Sequence, residues 1–178
     1  LSGLGYDYST KLNKWSISDQ ACDFIYLGNN QIHFDIPNTL SLVTNYSVWK
    51  DKKNKERNYP LFCGEEFLLE TMHSDELNFI SVDITTLTDQ LIDAVKKDKS
   101  AVFIFETSNN HGLAEQRRIF VKLISNKCKI PVVIKRNYQC NSEQLHINAS
   151  TDLGGLLLDG LGDGVWVSSE SDIALINR

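Results

Sequence analysis

The 178-residue sequence lacks several features that would assign it to a specialised class of protein. Its formal net charge is −5 at pH 7, which argues against the concentrated basic patch of a nucleic-acid-binding protein. No apolar run approaches the roughly 20 residues of a membrane-spanning helix. The start of the chain has neither an initiator methionine nor the charge pattern of a signal peptide. We therefore expect a cytoplasmic segment of a longer protein.

The cysteines lack the close spacing that a metal centre requires. No two of them form a C-x-x-C pair, and no histidine stands near them at ligand spacing. A disulfide framework is also unfavourable in a domain of this size without a secretory signal. The sequence therefore predicts no metal or cofactor site in this chain. It predicts that all four cysteines remain thiols and that Cys22 lies in the core beside Phe24 and Ile25. The cysteines are Cys22, Cys63, Cys128 and Cys140.

Three nucleotide-binding and catalytic motifs are also missing. The turn after the first apolar run, residues 27–31, does not read G-x-G-x-x-G, the dinucleotide fingerprint. The glycines and aspartates of residues 159–164 precede a strand and lack the G-x-x-x-x-G-K-[ST] order of a phosphate-binding loop. No G-x-S-x-G turn suggests a serine nucleophile. We interpret residues 159–164, including Asp159 and Asp163, as a tight structural turn.

The sequence does contain short apolar runs that alternate with helical segments. Runs of this kind, without polar alternation, are typical of parallel strands that are buried on both faces. The spacing predicts a single α/β domain over residues 1–178. The predicted strands are residues 23–27, 40–44, 78–82, 101–105, 131–134 and 165–167.

Three helices are predicted between these strands, at residues 86–97, 113–126 and 143–158. Thr86 is the expected cap of the first helix, with Asp89 at the capping-box position, and Asn109 and Asn110 are candidate caps of the second. Gly154 and Gly155 lower the helix propensity of the third segment, so a buried strand at residues 156–158 is the alternative prediction. The charged run of residues 49–60 is interpreted as a solvated loop; its cations could otherwise bind nucleic acid or an acidic protein.

Two architectures fit this alternation: a (β/α) barrel and a doubly wound sheet. The missing dinucleotide fingerprint favours a TIM-like (β/α) barrel, incomplete or degenerate in its first half. Chemistry in such a barrel gathers where strands end, and polar residues follow two of the strands here. They could hold a phosphate or place a general base, but a structural ion pair between Glu106 and Lys135 or Arg136 is favoured. The candidate rim is Glu106, Asn109, His111, Lys135 and Arg136.

Four segments resemble a known family. Residues 106–118 read Glu-Thr-Ser-Asn-Asn-His-Gly-Leu-Ala-Glu-Gln-Arg-Arg, and residues 131–136 read Pro-Val-Val-Ile-Lys-Arg. Together with residues 149–164 and 21–28, they resemble the large, three-domain form of 4-hydroxy-3-methylbut-2-enyl diphosphate synthase. The resemblance is to the middle, inserted domain of that form, which plants and some bacteria possess.

The resemblance implies a bacterial oxidoreductase of isoprenoid biosynthesis, in the methylerythritol phosphate pathway. In that family an N-terminal barrel binds 2-C-methyl-D-erythritol 2,4-cyclodiphosphate, and a C-terminal domain carries a [4Fe–4S] cluster. The expected partners are the flanking catalytic domains, a second subunit in a homodimer, and ferredoxin or flavodoxin as electron donor. None of the family's catalytic or cluster-binding residues corresponds to a position in this chain. The resemblance therefore implies a spacer without catalytic, cofactor or metal residues of its own.

Overall fold

The structure is a computed structural model that describes residues 1–169. A two-stranded hairpin precedes a series of alternating strands and helices. Within the described residues, no helix is both long enough and apolar enough to cross a membrane. The strands are Tyr6–Ser9 (β1), Lys14–Ile17 (β2), Phe24–Gly28 (β3), Ser41–Asn45 (β4), Asn58–Cys63 (β5), Asn78–Val82 (β6), Ala101–Phe105 (β7), Val132–Tyr138 (β8) and Gly164–Ser169 (β9). The helices are Tyr46–Trp49 (α1), Gly64–Leu69 (α2), Asp89–Val95 (α3), Gly112–Ser125 (α4) and Ser142–Leu158 (α5).

The main sheet is parallel, and its strands lie side by side in chain order from β3 to β9. The order never reverses, unlike the order of a doubly wound sheet. Contacts between strands that are not neighbours show that the sheet curls. Phe24 of β3 lies edge-on to Phe79 of β6, with 5.3 Å between ring centroids. The ring centroids of Tyr26 in β3 and Trp166 in β9 lie 4.9 Å apart, with the two rings tilted against each other. The predicted α/β class is confirmed, and the sheet is an open half-barrel.

Alternating residues of each strand face opposite layers, as strand geometry requires. The outer face packs against the helices in the main core, where the rings of Phe62, Phe103 and Phe105 are fully buried. The concave face forms a second, smaller core around Val102 and Ile104. The two faces therefore separate the residues that hold the helices from those that fill the half-barrel.

Strand β5 was not predicted, because its sequence carries signals against a central strand. It follows a charged run, and Pro60 has no backbone N–H to contribute to a ladder. The structure nevertheless places it between β4 and β6, with Pro60 opposite Thr44. The buried Thr44 hydroxyl donates a hydrogen bond of 2.8 Å to the Asn58 side chain. The prediction of a solvated loop is therefore wrong for residues 58–60, and also for Trp49, which is buried on α1. The hairpin β1–β2 and helices α1 and α2 were also missed.

The predicted helix caps need correction. Helix α3 begins one turn later than expected, and the Thr88 hydroxyl, not that of Thr86, accepts the capping bond from the Leu91 amide. The side chain of Thr86 instead bonds the carboxylate of Asp83. Helix α5 extends through Leu158, so the alternative of a strand at residues 156–158 is wrong. These corrections do not change the relative order of the strands and helices that were predicted.

The predicted position of Cys22 in the core beside Phe24 and Ile25 is confirmed in part, because Cys22 and Ile25 pack against a small core cluster but Phe24 does not belong to it. Cys22 is half-buried beside a small cluster of Leu4, Tyr6 and Leu40, and Phe24 is 41% exposed. Cys128 is the cysteine that is buried in the main core. Phe24 is exposed because β3 is the first strand of the sheet and, within residues 1–169, pairs with β4 alone.

The glycine-rich turn before β9 is a tight structural turn, as predicted. Gly160 and Gly162 have φ angles of +72° and +95°, in the left-handed region that favours glycine. The Asp163 carboxylate accepts a hydrogen bond of 2.9 Å from the Val132 amide, and the Asp163 amide donates one of 2.8 Å to the Val132 carbonyl. The turn thereby attaches β9 to the start of β8.

Replacing Tyr59 with phenylalanine should make stability less sensitive to alkaline pH. The Tyr59 hydroxyl donates to Glu76 at 2.6 Å; this bond and burial raise the pKa of Tyr59 to about 12. Because the folded pKa lies above the unfolded value near 10, this contribution is complete below pH 10 and is lost between pH 10 and 12. Urea unfolding at pH 8 and pH 11 measures the difference. An equal alkaline loss in Tyr59→Phe would contradict it.

Candidate functional site

A groove of about 1410 Å³ lies at the carboxyl ends of β6, β7 and β8. The loops that follow these strands form its walls, together with the first turns of α4 and part of α5. It is the edge of a parallel sheet where ligands usually bind, because loops can vary there without disturbing the strands. All five candidate rim residues line it: Glu106, Asn109, His111, Lys135 and Arg136.

Lys135 and Arg136 face opposite sides of β8, because side chains alternate along a strand. The Lys135 ammonium lies over the concave face, 4.9 Å from the centre of the Trp166 ring. Arg136 faces the helices and is 6% exposed. The structure therefore does not bring the two cations together around one anion.

Arg136 joins three parts of the fold. Its Nε and Nη2 atoms lie 2.9 and 2.8 Å from the carboxylate of Asp152 on α5. Its Nη1 atom donates to the carbonyl oxygens of Asn109, at 3.0 Å, and of Thr107, at 3.3 Å. A Cβ atom at Gly112 would come within 2.2 Å of this guanidinium, so the first residue of α4 has room only for hydrogen. Arg136 is thus a structural clamp under the groove.

The clamp includes a tyrosine from the end of β8. The Tyr138 hydroxyl donates to the Asp152 carboxylate at 3.1 Å. Burial raises the pKa of Tyr138 to about 12, and the charge of Asp152 acts in the same direction against the opposing effect of Arg136. Tyr138 is therefore held in its neutral form across the physiological range and is a poor proton acceptor.

On the concave face, Lys135 pairs with Glu106 of the neighbouring strand end. The two residues are one step beyond the paired Phe105 and Ile134, so the ladder itself brings them together. Trp166 lies beside this ion pair and also contacts Tyr26. A carboxylate, an ammonium and two rings therefore form a continuous chain across the mouth of the half-barrel.

Asn109 and His111 organise the loop between β7 and α4. The Asn109 side chain accepts a bond of 2.9 Å from the His111 amide and donates one of 3.2 Å to the Glu115 carboxylate. His111 is the N-cap residue of α4, but its side chain makes no capping bond. The prediction that Asn109 or Asn110 caps α4 is therefore wrong. The His111 side chain is exposed at the groove.

The other carboxylates of the groove also have hydrogen-bond partners. Asp83 accepts bonds from the amides of Thr85 and Thr86, at 2.7 and 2.8 Å, and from both their hydroxyls. Burial would raise the pKa of Asp83, but these hydrogen bonds outweigh it and lower the pKa below its usual value. Glu115 accepts from the Thr107 hydroxyl. The groove thus carries more acidic than basic side chains, and its cations are already paired, which does not favour an anionic ligand.

Comparison with known proteins identifies relatives of one kind. Over 156 residues, the chain is 30% identical to the 4-hydroxy-3-methylbut-2-en-1-yl diphosphate synthase (flavodoxin) of Parabacteroides distasonis, covering 87% of this chain. It is 26% identical to the synthase of the same name from Phocaeicola vulgatus, over 86% of this chain. The chain belongs to this synthase family. No family model and no solved structure matches it.

The similarity to the synthases is limited to part of their length. The chain spans about 25% of each of these two relatives. A synthase of the same name from Protochlamydia amoebophila is 33% identical over 97 residues, which cover 54% of this chain and 15% of the relative. The chain is thus the counterpart of one segment of the synthases, as the resemblance of residues 106–118, 131–136 and 149–164 implied.

The residues of this segment do not fit the iron–sulfur cluster that the resemblance implies for the synthase family. Cluster ligands must converge on one point. Cys63 ends β5, Cys128 is buried after α4, and Cys22 and Cys140 are half-buried before β3 and after β8. Within residues 1–169 no three cysteine, histidine or acidic side chains come together in a way that could hold a metal ion.

In the charged loop before β5, residues 50–57, several cationic side chains make contacts within the fold. Lys55 lies over the Trp49 ring at 4.0 Å, and the Arg57 guanidinium donates to the carbonyl oxygen of Pro37 at 2.7 Å. Lys52 is half-buried, and this burial lowers its pKa. These contacts favour a structural role for the loop over recognition of nucleic acid or an acidic protein.

Three important residues of this region were missed by the sequence analysis. Asp152 lies within an apolar helical segment, where nothing in the sequence shows that it faces a strand arginine. Trp166 and Tyr26 resembled ordinary strand residues, because their contact depends on how far the sheet curls. Strand alternation alone could have shown that Lys135 and Arg136 face opposite layers.

Proposed function

We propose that this chain is a non-catalytic spacer domain of a longer 4-hydroxy-3-methylbut-2-en-1-yl diphosphate synthase. The observation that carries the proposal is the extent of the similarity, which covers 87% of this chain but 25% of the relative. A degenerate TIM barrel formed by residues 1–178 would hold the flanking catalytic domains at a fixed separation. The substrate site and the [4Fe–4S] cluster would belong to those domains, in a cytoplasmic bacterial enzyme that acts as a homodimer with flavodoxin or ferredoxin.

The pairing of charges in the groove supports this role. A general base or nucleophile needs a side chain that can reach the substrate in a reactive protonation state. Here Lys135 is held by Glu106, and Arg136 by Asp152. An independent barrel enzyme that binds a phosphorylated metabolite would need at least one of these cations for its ligand. The contacts therefore favour the structural alternative for the candidate rim.

The test replaces the Glu106–Lys135 pair by neutral side chains of similar size in the longer polypeptide that carries this domain. We expect the double variant Glu106→Gln, Lys135→Met to keep kcat and kcat/KM within about two-fold, because a spacer side chain touches no substrate and replacing an ion pair by groups of similar size is often neutral for folding stability. The control is Asp93→Asn with Lys96→Met, an exposed pair on α3 whose charged atoms lie 3.0 Å apart. Loss of a general acid or base would instead lower kcat by roughly 10²-fold or more.

A second measurement separates the spacer from the phosphate-binding barrel. Inorganic phosphate at 1 mM should leave the melting temperature of the unaltered chain unchanged. A ligand at about one hundred times its Kd would stabilise the fold by roughly 2.7 kcal/mol, which a thermal scan detects readily. A rise that disappears in the Lys135→Met variant would contradict the spacer proposal.

A further inference from the structure

The half-barrel has an open seam, defined here as the gap between strands β3 and β9. Each of these strands pairs with one neighbour, β3 with β4 and β9 with β8, and no strand within residues 1–169 lies between them. An unpaired strand edge presents a row of backbone donors and acceptors. At the seam, two such edges face the same gap.

The backbone groups that face the seam follow from the strand pairing. The Asp23 carbonyl accepts a bond from the Ser41 amide, so on β3 the backbone groups of Ile25 point to β4 and those of Phe24 and Tyr26 point to the seam. On β9, the pairing of Asp163 with Val132 directs Val165 and Val167 to β8. Gly164, Trp166 and Ser168 therefore direct their backbone groups into the gap.

Apolar side chains are exposed at the seam as a consequence. Phe24 and Tyr26 belong to the concave face and contact Phe79 and Trp166, yet they are 41% and 43% exposed. Val165, on the outer face of β9, is 50% exposed. In a closed barrel such positions are covered by the adjoining strand. The exposed surface therefore lies on both sides of a gap that has strand edges as its borders.

We infer that an extended segment of the longer polypeptide enters this seam as an eighth strand and bonds to β3 and β9. The inference rests on the proposed function, because the relatives are about four times as long as the part matched here. Each unpaired edge is complementary to an extended backbone, as in strand addition to a sheet edge, and the contact of Tyr26 with Trp166 shows that the two edges border the same gap. Eight strands also complete the number of a closed (β/α) barrel.

The side chains at the seam restrict the sequence of this segment. Tyr26 and Trp166 already meet across the concave side, so the inserted strand carries glycine, alanine or serine at that level. Its outward residues lie beside Val165 and are apolar, because the outer face of the sheet belongs to the main core. Proline is disfavoured, since it would remove one of the backbone donors of the inserted strand.

Residue-resolved hydrogen exchange tests the inference in the chain alone and in the longer polypeptide. The amides of Tyr26 and Trp166 face the seam, and we expect them to exchange at least about 100-fold more slowly in the longer polypeptide. The amides of Ile25 and Val167, which face paired strands, serve as internal controls and should be protected in both. Equal rates at Tyr26 and Trp166 in the two proteins would overturn the inference.

A pair of variants adds a control for local disturbance. Val165→Lys in the longer polypeptide should increase exchange at the Trp166 amide by about ten-fold, because a lysine on an edge strand opposes addition of another strand. Val121→Lys replaces a valine of similar exposure on α4 and should leave the exchange rate of the Trp166 amide unchanged. An equal effect of both variants would count against strand addition.

The remaining outcomes separate the possible occupants and the two proposals. The seam amides could instead become protected in the chain alone as its concentration is raised, together with an increase in its measured molecular mass. That result would identify a second copy of the chain as the occupant and overturn the inference. Synthase turnover without seam protection rejects the eighth strand but leaves the proposed function intact. Seam protection in a longer polypeptide without synthase activity supports strand addition and contradicts the proposed function.

Discussion

Asp152→Ala is expected to lower the free energy of unfolding by about 3 kcal/mol, because removing one partner leaves a buried charge uncompensated. The other partner, Arg136, is 6% exposed and would keep the carbonyl oxygens of Thr107 and Asn109 and the Tyr138 ring, but no negative charge. In a chain of this size the loss corresponds to roughly 6–12 °C in melting temperature. Urea unfolding followed by circular dichroism measures it.

A second ion pair between an arginine and an aspartate provides the control. Arg117 and Asp159 also form an ion pair, but both side chains are about half exposed, at 47% and 49%. Asp159→Ala should therefore cost less than about 1 kcal/mol. The double variant Arg136→Met, Asp152→Leu should recover much of the loss, because it buries no unpaired charge. Equal costs for Asp152→Ala and Asp159→Ala would contradict the role of the clamp.

Gly162→Ala is also expected to destabilise the fold by about 3 kcal/mol, through two independent effects. Its φ angle of +95° is strained for any residue with a Cβ atom. That Cβ would also lie 2.6 Å from the Cδ1 atom of Ile134, which is fully buried. Thermal unfolding measures the loss. Turns of this kind tolerate substitution poorly because neither the backbone nor the neighbour can move freely.

A glycine in helix α5 gives the opposite expectation. A Cβ at Gly154 would meet nothing within 4 Å. Gly154→Ala should stabilise the chain by about 0.5–1 kcal/mol, because alanine loses less backbone freedom in a helix than glycine. If both glycine variants changed stability in the same direction, the conformational explanation for Gly162 would be wrong.

The sequence predicted those parts of the fold that depend on local pattern. Buried apolar runs such as residues 101–105 indicated parallel strands, and the glycines of residues 159–164 indicated the turn before β9. Strand β5 was missed because Asn58 is satisfied by Thr44 and Pro60 is tolerated by the neighbouring strands, which are tertiary effects. The polar residues that line the groove were predicted from their position directly after strands.

The partner of Lys135 could be predicted, but that of Arg136 could not. Glu106 and Lys135 meet because two neighbouring strands end in register, and the expected ion pair between them is present. Arg136 differs, because its partner Asp152 lies on a helix whose rotation depends on packing against the whole outer face. Sequence spacing gives the direction of a side chain along one strand, but not the element that it meets across a layer.

The order of the strands has a consequence for biosynthesis. Each strand from β4 to β9 pairs with the strand that the ribosome made just before it. Pairing between consecutive strands keeps each closed loop shorter than pairing between distant strands would, and domains fold from the N-terminus as they emerge. Strands β3 to β9 can thus be added one at a time during translation, and in our proposal the eighth strand is the one that a distant part of the polypeptide adds.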